Sequence, residues 1–236
     1  SSNPPELTIS EHHIEIPKNL KKTKIKRFNA VAYFGYNNEN MVLHWPEICT
    51  FELTKTNQLF YQKHSPDTPI DLLRVFVLSE ALGLFLYQKG YLLLHASAVN
   101  INQNAHVFLG LPGAGKSTTI AGFAHQKFDI LGDDMVAIEI DQNGKPWVIP
   151  SYAEIKIWDS AVEGLDWDKS ELEPAWEGKE KYILKGEKCP FKDIKLPLTQ
   201  INILKKPNAR KTETLSAAVF PIELLKYIPI PHQIFN

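Results

Sequence analysis

Along residues 7–61 the apolar positions come in short alternating or β-rich runs, such as 30–36 and 49–53, broken by clusters of Asn, Pro and Lys. That pattern predicts strands, and a small β-rich lobe over residues 1–67. At Thr68-Pro69 the pattern changes. Proline at a helix start, Asp71 in the first turn and Gly90 at the end predict one helix over 68–90, apolar on most faces and placed between two lobes. From Tyr91 the chain reads as strand (91–99), turn (102–104), strand (105–109), glycine-rich loop, helix (116–126) and strand (128–132). The runs 135–140 and 147–150 flank Asp141-Gln142-Asn143-Gly144, whose Asn-Gly predicts a hairpin, so the sheet of this second domain, residues 91–236, mixes parallel and antiparallel strands. Residues 159–180 are acidic and lack periodicity, which predicts a long loop of the kind used as a lid. A strand at 201–204 and a short helix around 221–227 complete the reading.

Composition narrows the partners. With 44% hydrophobic and 22% charged residues the 236-residue chain is of ordinary globular make-up, and a formal net charge of -1 gives no field for nucleic acid or an anionic membrane. Cys49 and Cys189 are isolated, too few for a disulfide framework and without metal-site spacing, which suits a reducing cytoplasm. The opening residues carry no secretion signal pattern. The most apolar stretch, 72–87, is interrupted by Arg74 and Glu80 and is short for a membrane span.

The chemistry is concentrated in Gly110-Leu111-Pro112-Gly113-Ala114-Gly115-Lys116-Ser117, which fits the P-loop pattern and stands between a predicted strand and a predicted helix, as the mechanism requires. Glycines let backbone N–H groups converge on phosphate oxygens. Lys116 bridges phosphates, the Ser117 hydroxyl reaches Mg²⁺, and Thr118 continues the helix N-terminus whose dipole favours the anion. These residues are therefore expected to bind ATP and Mg²⁺. Asp133 and Asp134 follow a strand expected beside the P-loop strand, where one carboxylate can serve the metal and its neighbour can accept a proton. His95 is a polar interruption of an apolar strand; alone it reads equally as a core histidine.

Taken together, His95 lying fifteen positions before Gly110, the P-loop, and fifteen residues separating Ser117 from Asp133-Asp134 resemble the HPr serine kinase/phosphorylase family, over about residues 91–158. The resemblance implies a core shared with phosphoenolpyruvate carboxykinase. It implies Asp133 as the base that takes the proton from an attacking hydroxyl, His95 as its supporting partner, and Asp134 assisting the metal. Glu154, in Ala153-Glu154-Ile155-Lys156-Ile157-Trp158, corresponds to a further metal ligand, and Lys179 and Lys181 to basic residues near the transferred phosphate. Lys156 stands where the family has arginine, whose bidentate fork lysine lacks, so a kinase without the reverse phosphorolysis is expected. Divergent relatives of this kind accompany peptide-modifying gene clusters, which makes the serine of a peptide or protein the expected acceptor; the oligomeric state is left open.

Three rivals remain in view: a small-molecule hydroxyl kinase, a carboxykinase and a non-catalytic nucleotide-binding scaffold. The carboxykinase reading is poorly supplied, with Arg27, Arg74 and Arg210 the only arginines. A GTPase reading of Asp129-Ile130-Leu131-Gly132 lacks an Asn-Lys-x-Asp motif.

Overall fold

The computed structural model describes residues 6–27, 30–175, 180–205, 213–216 and 219–228. They form two compact units divided between Lys89 and Gly90.

The first unit carries six strands: β1 (Thr8–Glu11), β2 (Lys21–Arg27), β3 (Ala30–Asn37), β4 (Asn40–Trp45), β5 (Cys49–Leu53) and β6 (Gln58–Lys63). Their order is β1-β6-β5-β4-β3-β2, an antiparallel meander with β1 added in parallel along β6. The predicted helix is present as α1 (Ile70–Phe76), a π turn (Val77–Ala81) and α2 (Leu82–Gln88), and it belongs to this unit rather than forming a separate connector. Phe76 packs edge-on against Trp45 with centroids 4.8 Å apart, and Gln88 Nε2 donates to the Thr54 carbonyl at 3.1 Å. Within the sheet, the buried Thr50 hydroxyl lies 2.8 Å from both His44 Nδ1 and His64 Nε2.

The second unit contains β7 (Leu92–Leu94), β8 (Ala96–Ile101), β9 (Asn104–Gly110), α3 (Lys116–His125), β10 (Ile130–Gly132), β11 (Val136–Ile140) and β12 (Pro146–Ile149). There follow β13 (Glu154–Trp158), α4 (Asp159–Gly164), β14 (Glu173–Pro174), β15 (Lys181–Lys185), β16 (Leu196–Leu204) and α5 (Phe220–Leu224). The β8–β9 hairpin turns at Asn102 and Gln103, both left-handed with φ of 51° and 62°. Helix α3 ends in a Schellman-type cap, with Lys127 at φ 66° and the Phe128 N–H reaching the Phe123 carbonyl at 3.1 Å.

Seven strands make one sheet in the order β10-β8-β9-β16-β12-β11-β7, mixed as expected because β16 runs parallel to β9 while the other pairs are antiparallel. Consecutive strands occupy distant places in it. β7 and β8 are separated only by His95 yet are last and second in the order, and β10 and β11 are separated only by Asp133, Asp134 and Met135 yet are first and sixth. Such short connections require the sheet to curl until its ends approach. One face packs on α3, with Val99 and Phe108 against Ile120, Ala121 and Ala124; the other buries Ala98, Val107, Leu109, Val136 and Tyr227. That division follows the two-residue period of β8 and β9.

Two expectations are corrected. The strand ending at Gly132 does not neighbour the P-loop strand: β8 lies between β10 and β9. Most of the acidic segment 159–180 is not a structureless lid. Ala161, Val162, Leu172 and Ala175 are buried, and Leu165 and Trp167 pack on the α3 face, so its apolar residues make it part of the core. A three-stranded sheet, β13-β15-β14, brackets it. Among the described residues no helix is long and apolar enough to cross a membrane.

Candidate functional site

β9 delivers the chain at Gly110 into the glycine loop. A Cβ on Gly110 would stand 2.8 Å from Ala114 Cβ and 3.2 Å from the Leu204 carbonyl oxygen, so only glycine fits where β16 closes on the loop. Gly113 and Gly115 adopt φ of 77° and 98°, conformations that turn the loop tightly into α3. The Ala114 N–H donates to the Leu111 carbonyl at 2.9 Å, with Pro112 inside that turn. Lys116, only 7% exposed, donates through Nζ to the Gly110 carbonyl at 2.8 Å, its stem folded back under the loop. Burial lowers its pKa, while the charges of Asp133 and Asp134 oppose the shift. Ser117 and Thr118 occupy the first turn of α3.

The two sheet crossings bring the other groups together. Asp133, at 3% exposure, accepts from Ser97 Oγ at 2.6 Å and from Ser117 Oγ at 3.3 Å through one oxygen, Oδ1. Burial raises its pKa, the two serine hydrogen bonds hold it down, and the Asp134 charge adds to the rise. Asp134 is left-handed at φ 69° and its side chain is 41% exposed. That turn separates the two carboxylates: one is enclosed beside the loop, the other faces outward.

His95 meets Asp134. Its Nδ1 lies 2.9 Å from the Asp134 carbonyl oxygen and 3.3 Å from Asp134 Oδ1. The carbonyl oxygen can only accept, which assigns a ring proton to Nδ1. Burial lowers the pKa of His95, opposed first by Asp134 and reinforced by Lys116. The expected pairing of His95 with Asp133 is thus corrected: the crossing at His95 places its ring against the second aspartate.

Glu154 opens β13 opposite Lys185, half-buried. Burial pushes the Cys189 thiol up to about 12, with Asp133 and Glu154 both adding to the rise, so the thiol lies in the field of these two carboxylates. Lys181 Nζ sits 4.6 Å from the Trp158 ring centroid, and Lys179 lies outside the described residues, as does Trp176. Among the described residues no three His, Cys, Asp or Glu side chains form a metal cluster. Mg²⁺ commonly takes one or two protein oxygens and completes its shell with phosphates and water, and Ser117 Oγ with Asp133 Oδ1 is a donor pair of that kind. Ser97 was not legible as a functional residue. Its signal is a hydroxyl between Ala96 and Ala98, two positions after His95.

No family model matches the chain, and no curated protein matches it. Among solved structures it is similar to the Hpr(Ser) kinase/phosphatase from Coxiella burnetii, at 16% identity over 47% of this chain and 85% of that one, with a TM-score of 0.27. A likeness of that degree carries no functional argument. The residues of this chain and their geometry carry it instead.

Proposed function

We propose that the chain is an ATP-dependent kinase that transfers the γ-phosphoryl group to a hydroxyl, with the serine of a peptide or protein as acceptor. The observation that carries this reading is the convergence on one loop of a buried lysine, a helix-start serine and two aspartates of opposite accessibility. A phosphate-binding turn alone would serve a scaffold; the accessible carboxylate fastened by a histidine adds a proton acceptor.

In this reading the loop N–H groups and Lys116 hold the phosphates, and Ser117 with Asp133 would hold Mg²⁺, which when bound neutralises phosphate charge. The family resemblance implies Asp133 as the base. Burial favours Asp134, because a base must reach the hydroxyl it deprotonates, and a carboxylate 3% exposed with Oδ1 engaged by two serines is poorly placed to do so. Asp134 then takes the proton as the acceptor oxygen bonds to the γ-phosphorus and the bond to the bridging oxygen breaks, leaving ADP. His95, donating from Nδ1, is a positioning residue that holds the Asp134 carboxylate outward. The peptide acceptor is supported by the resemblance of the motif constellation.

The test is incubation with γ-labelled ATP, Mg²⁺ and an extract of the source organism. Label on one peptide or protein, lost with Lys116→Ala, supports the kinase; label on a metabolite changes the acceptor class; no label in any fraction sinks the reading.

A further inference from the structure

A cavity of about 510 Å³ opens beside the outer arm of the glycine loop, lined by Leu111, Pro112 and Leu204 and by Glu223, Lys226 and Tyr227 of the α5 region. We propose that this cavity takes the nucleoside half of the bound nucleotide, with the Glu223 carboxylate facing the ribose hydroxyls. The inference rests on the nucleotide reading above and adds to it a base-and-ribose subsite.

Three observations support it. The cavity borders the loop, yet Lys116, Ser117, Asp133, Asp134 and His95 do not line it. An acceptor hydroxyl must meet those groups, whereas a nucleoside needs only to be reached from them through a phosphate chain. The volume lies within the range of small-molecule pockets, and the walls offer what a nucleoside requires: apolar contact from Leu111, Pro112, Ala114 and Leu204, and one carboxylate for a diol, beside Lys205 and Lys226. Finally, the Leu204 wall of the cavity stands across β9 from Ser97, while the Tyr227 wall adjoins the site, its carbonyl accepting from the His95 N–H at 2.7 Å. β9 has β8 as one neighbour and β16 as the other; Ser97 of β8 meets Asp133, whereas Leu204 ends β16 at the cavity wall. A nucleotide with its terminal phosphate toward Asp133 therefore extends its other end across the loop toward Leu204. Glu223 is held by Lys226, Nζ to Oε2 at 2.5 Å, and that pair lowers the pKa of Glu223, so the carboxylate is ionised at neutral pH.

Calorimetry with three probes, Mg-ATP, Mg-tripolyphosphate and Mg-2′,3′-dideoxy-ATP, tests it on the whole chain. Wild type should bind ATP about tenfold or more tightly than tripolyphosphate, and should lose about tenfold when the ribose hydroxyls are removed. Lys205→Trp, which crowds the cavity from an exposed position, should weaken ATP about tenfold while leaving tripolyphosphate within about twofold, which also shows that the variant is folded. Glu223→Ala should bind ATP and its dideoxy form alike. The subsite is overturned, with the phosphate site intact, if wild type binds ATP no better than tripolyphosphate or if neither variant changes these ratios. Absence of binding by both probes to wild type would end the nucleotide reading and the subsite together.

Discussion

His95 is fastened to Asp134 twice, at the backbone carbonyl and at the carboxylate, both through Nδ1. The double contact fixes the ring against a residue whose own backbone is left-handed, so histidine and aspartate orient each other. Asp133, one residue earlier, turns instead into the protein and toward Ser97 and Ser117. Neighbouring aspartates with different partners should fail differently when altered.

Asp134→Asn should keep Mg-ATP affinity and lose about 10²- to 10⁴-fold in single-turnover transfer, since the amide keeps the volume and cannot accept the proton. Asp133→Asn should weaken Mg²⁺-dependent nucleotide binding. Calorimetry and rapid-quench transfer on both variants decide the assignment; transfer lost in Asp133→Asn with binding unchanged returns the base role to Asp133.

His95→Ala should lower kcat with ATP affinity nearly unchanged, and His95→Gln, which can still donate, should recover part of it. A purely structural histidine would instead lower the melting temperature, with transfer per folded molecule normal. Measuring both on one preparation separates the two roles.

Lys116→Ala removes the fixed cation of the loop. Mg-ATP affinity should fall by about ten- to a hundredfold, the range expected for a lost charge-assisted hydrogen bond. Unchanged affinity in calorimetry would refute the phosphate-site assignment.

Gly110→Ala should destabilise the fold by about 1–3 kcal/mol, because the new methyl meets Ala114 Cβ and the Leu204 carbonyl, neither of which can rotate away. Urea unfolding measures the loss, and Ala114→Gly in the same chain should restore part of it. Equal stability of wild type and Gly110→Ala would show that β16 does not press on the loop.

The pH dependence follows from the histidines. Burial lowers the pKa of His44, His64, His95 and His106 below 6.5, so the unfolded chain takes up protons first as pH falls. Their contribution is fully present above about pH 7 and is lost as pH drops through 6.5 toward the lower folded values. Asp133, with its raised pKa, works in the opposite sense, gaining stability once it protonates. Melting temperatures in the Asp133→Asn background should therefore hold from pH 8 to 7 and decline below about 6.5, and His64→Gln should flatten that decline.

The strand before the glycine loop, the loop itself and α3 were legible because each is written in local terms: an apolar run, glycines at the left-handed positions 113 and 115, and a helix-compatible run after Lys116 where the loop pattern requires a helix. The two hairpins were legible at Asn102 and Gly144 for the same reason. Strand order was not. The neighbours of β9 are fixed by which apolar faces meet, so the insertion of β8 left no local mark beyond the polar break at His95. The segment after Asp159 misled because its charges dominate: Lys169 bonds Asp159 and Glu163 on the outside while Ala161, Val162 and Leu172 are buried beneath. Which partner His95 chooses depends on the turn at Asp134, a non-glycine left-handed residue that composition does not announce.

The proposed kinase site is assembled only as the sheet curls. His95, Ser97, Ser117 and Asp133 come from three separate stretches of chain, and the aspartates stand in a gap that exists only once β7 has joined β11 and β10 has joined β8. An intermediate with the loop and α3 formed but the sheet still open would have a place for phosphate and no proton acceptor beside it. Recovery of transfer after dilution from denaturant should thus lag behind recovery of phosphate binding, and the interval between them times the closing of the sheet.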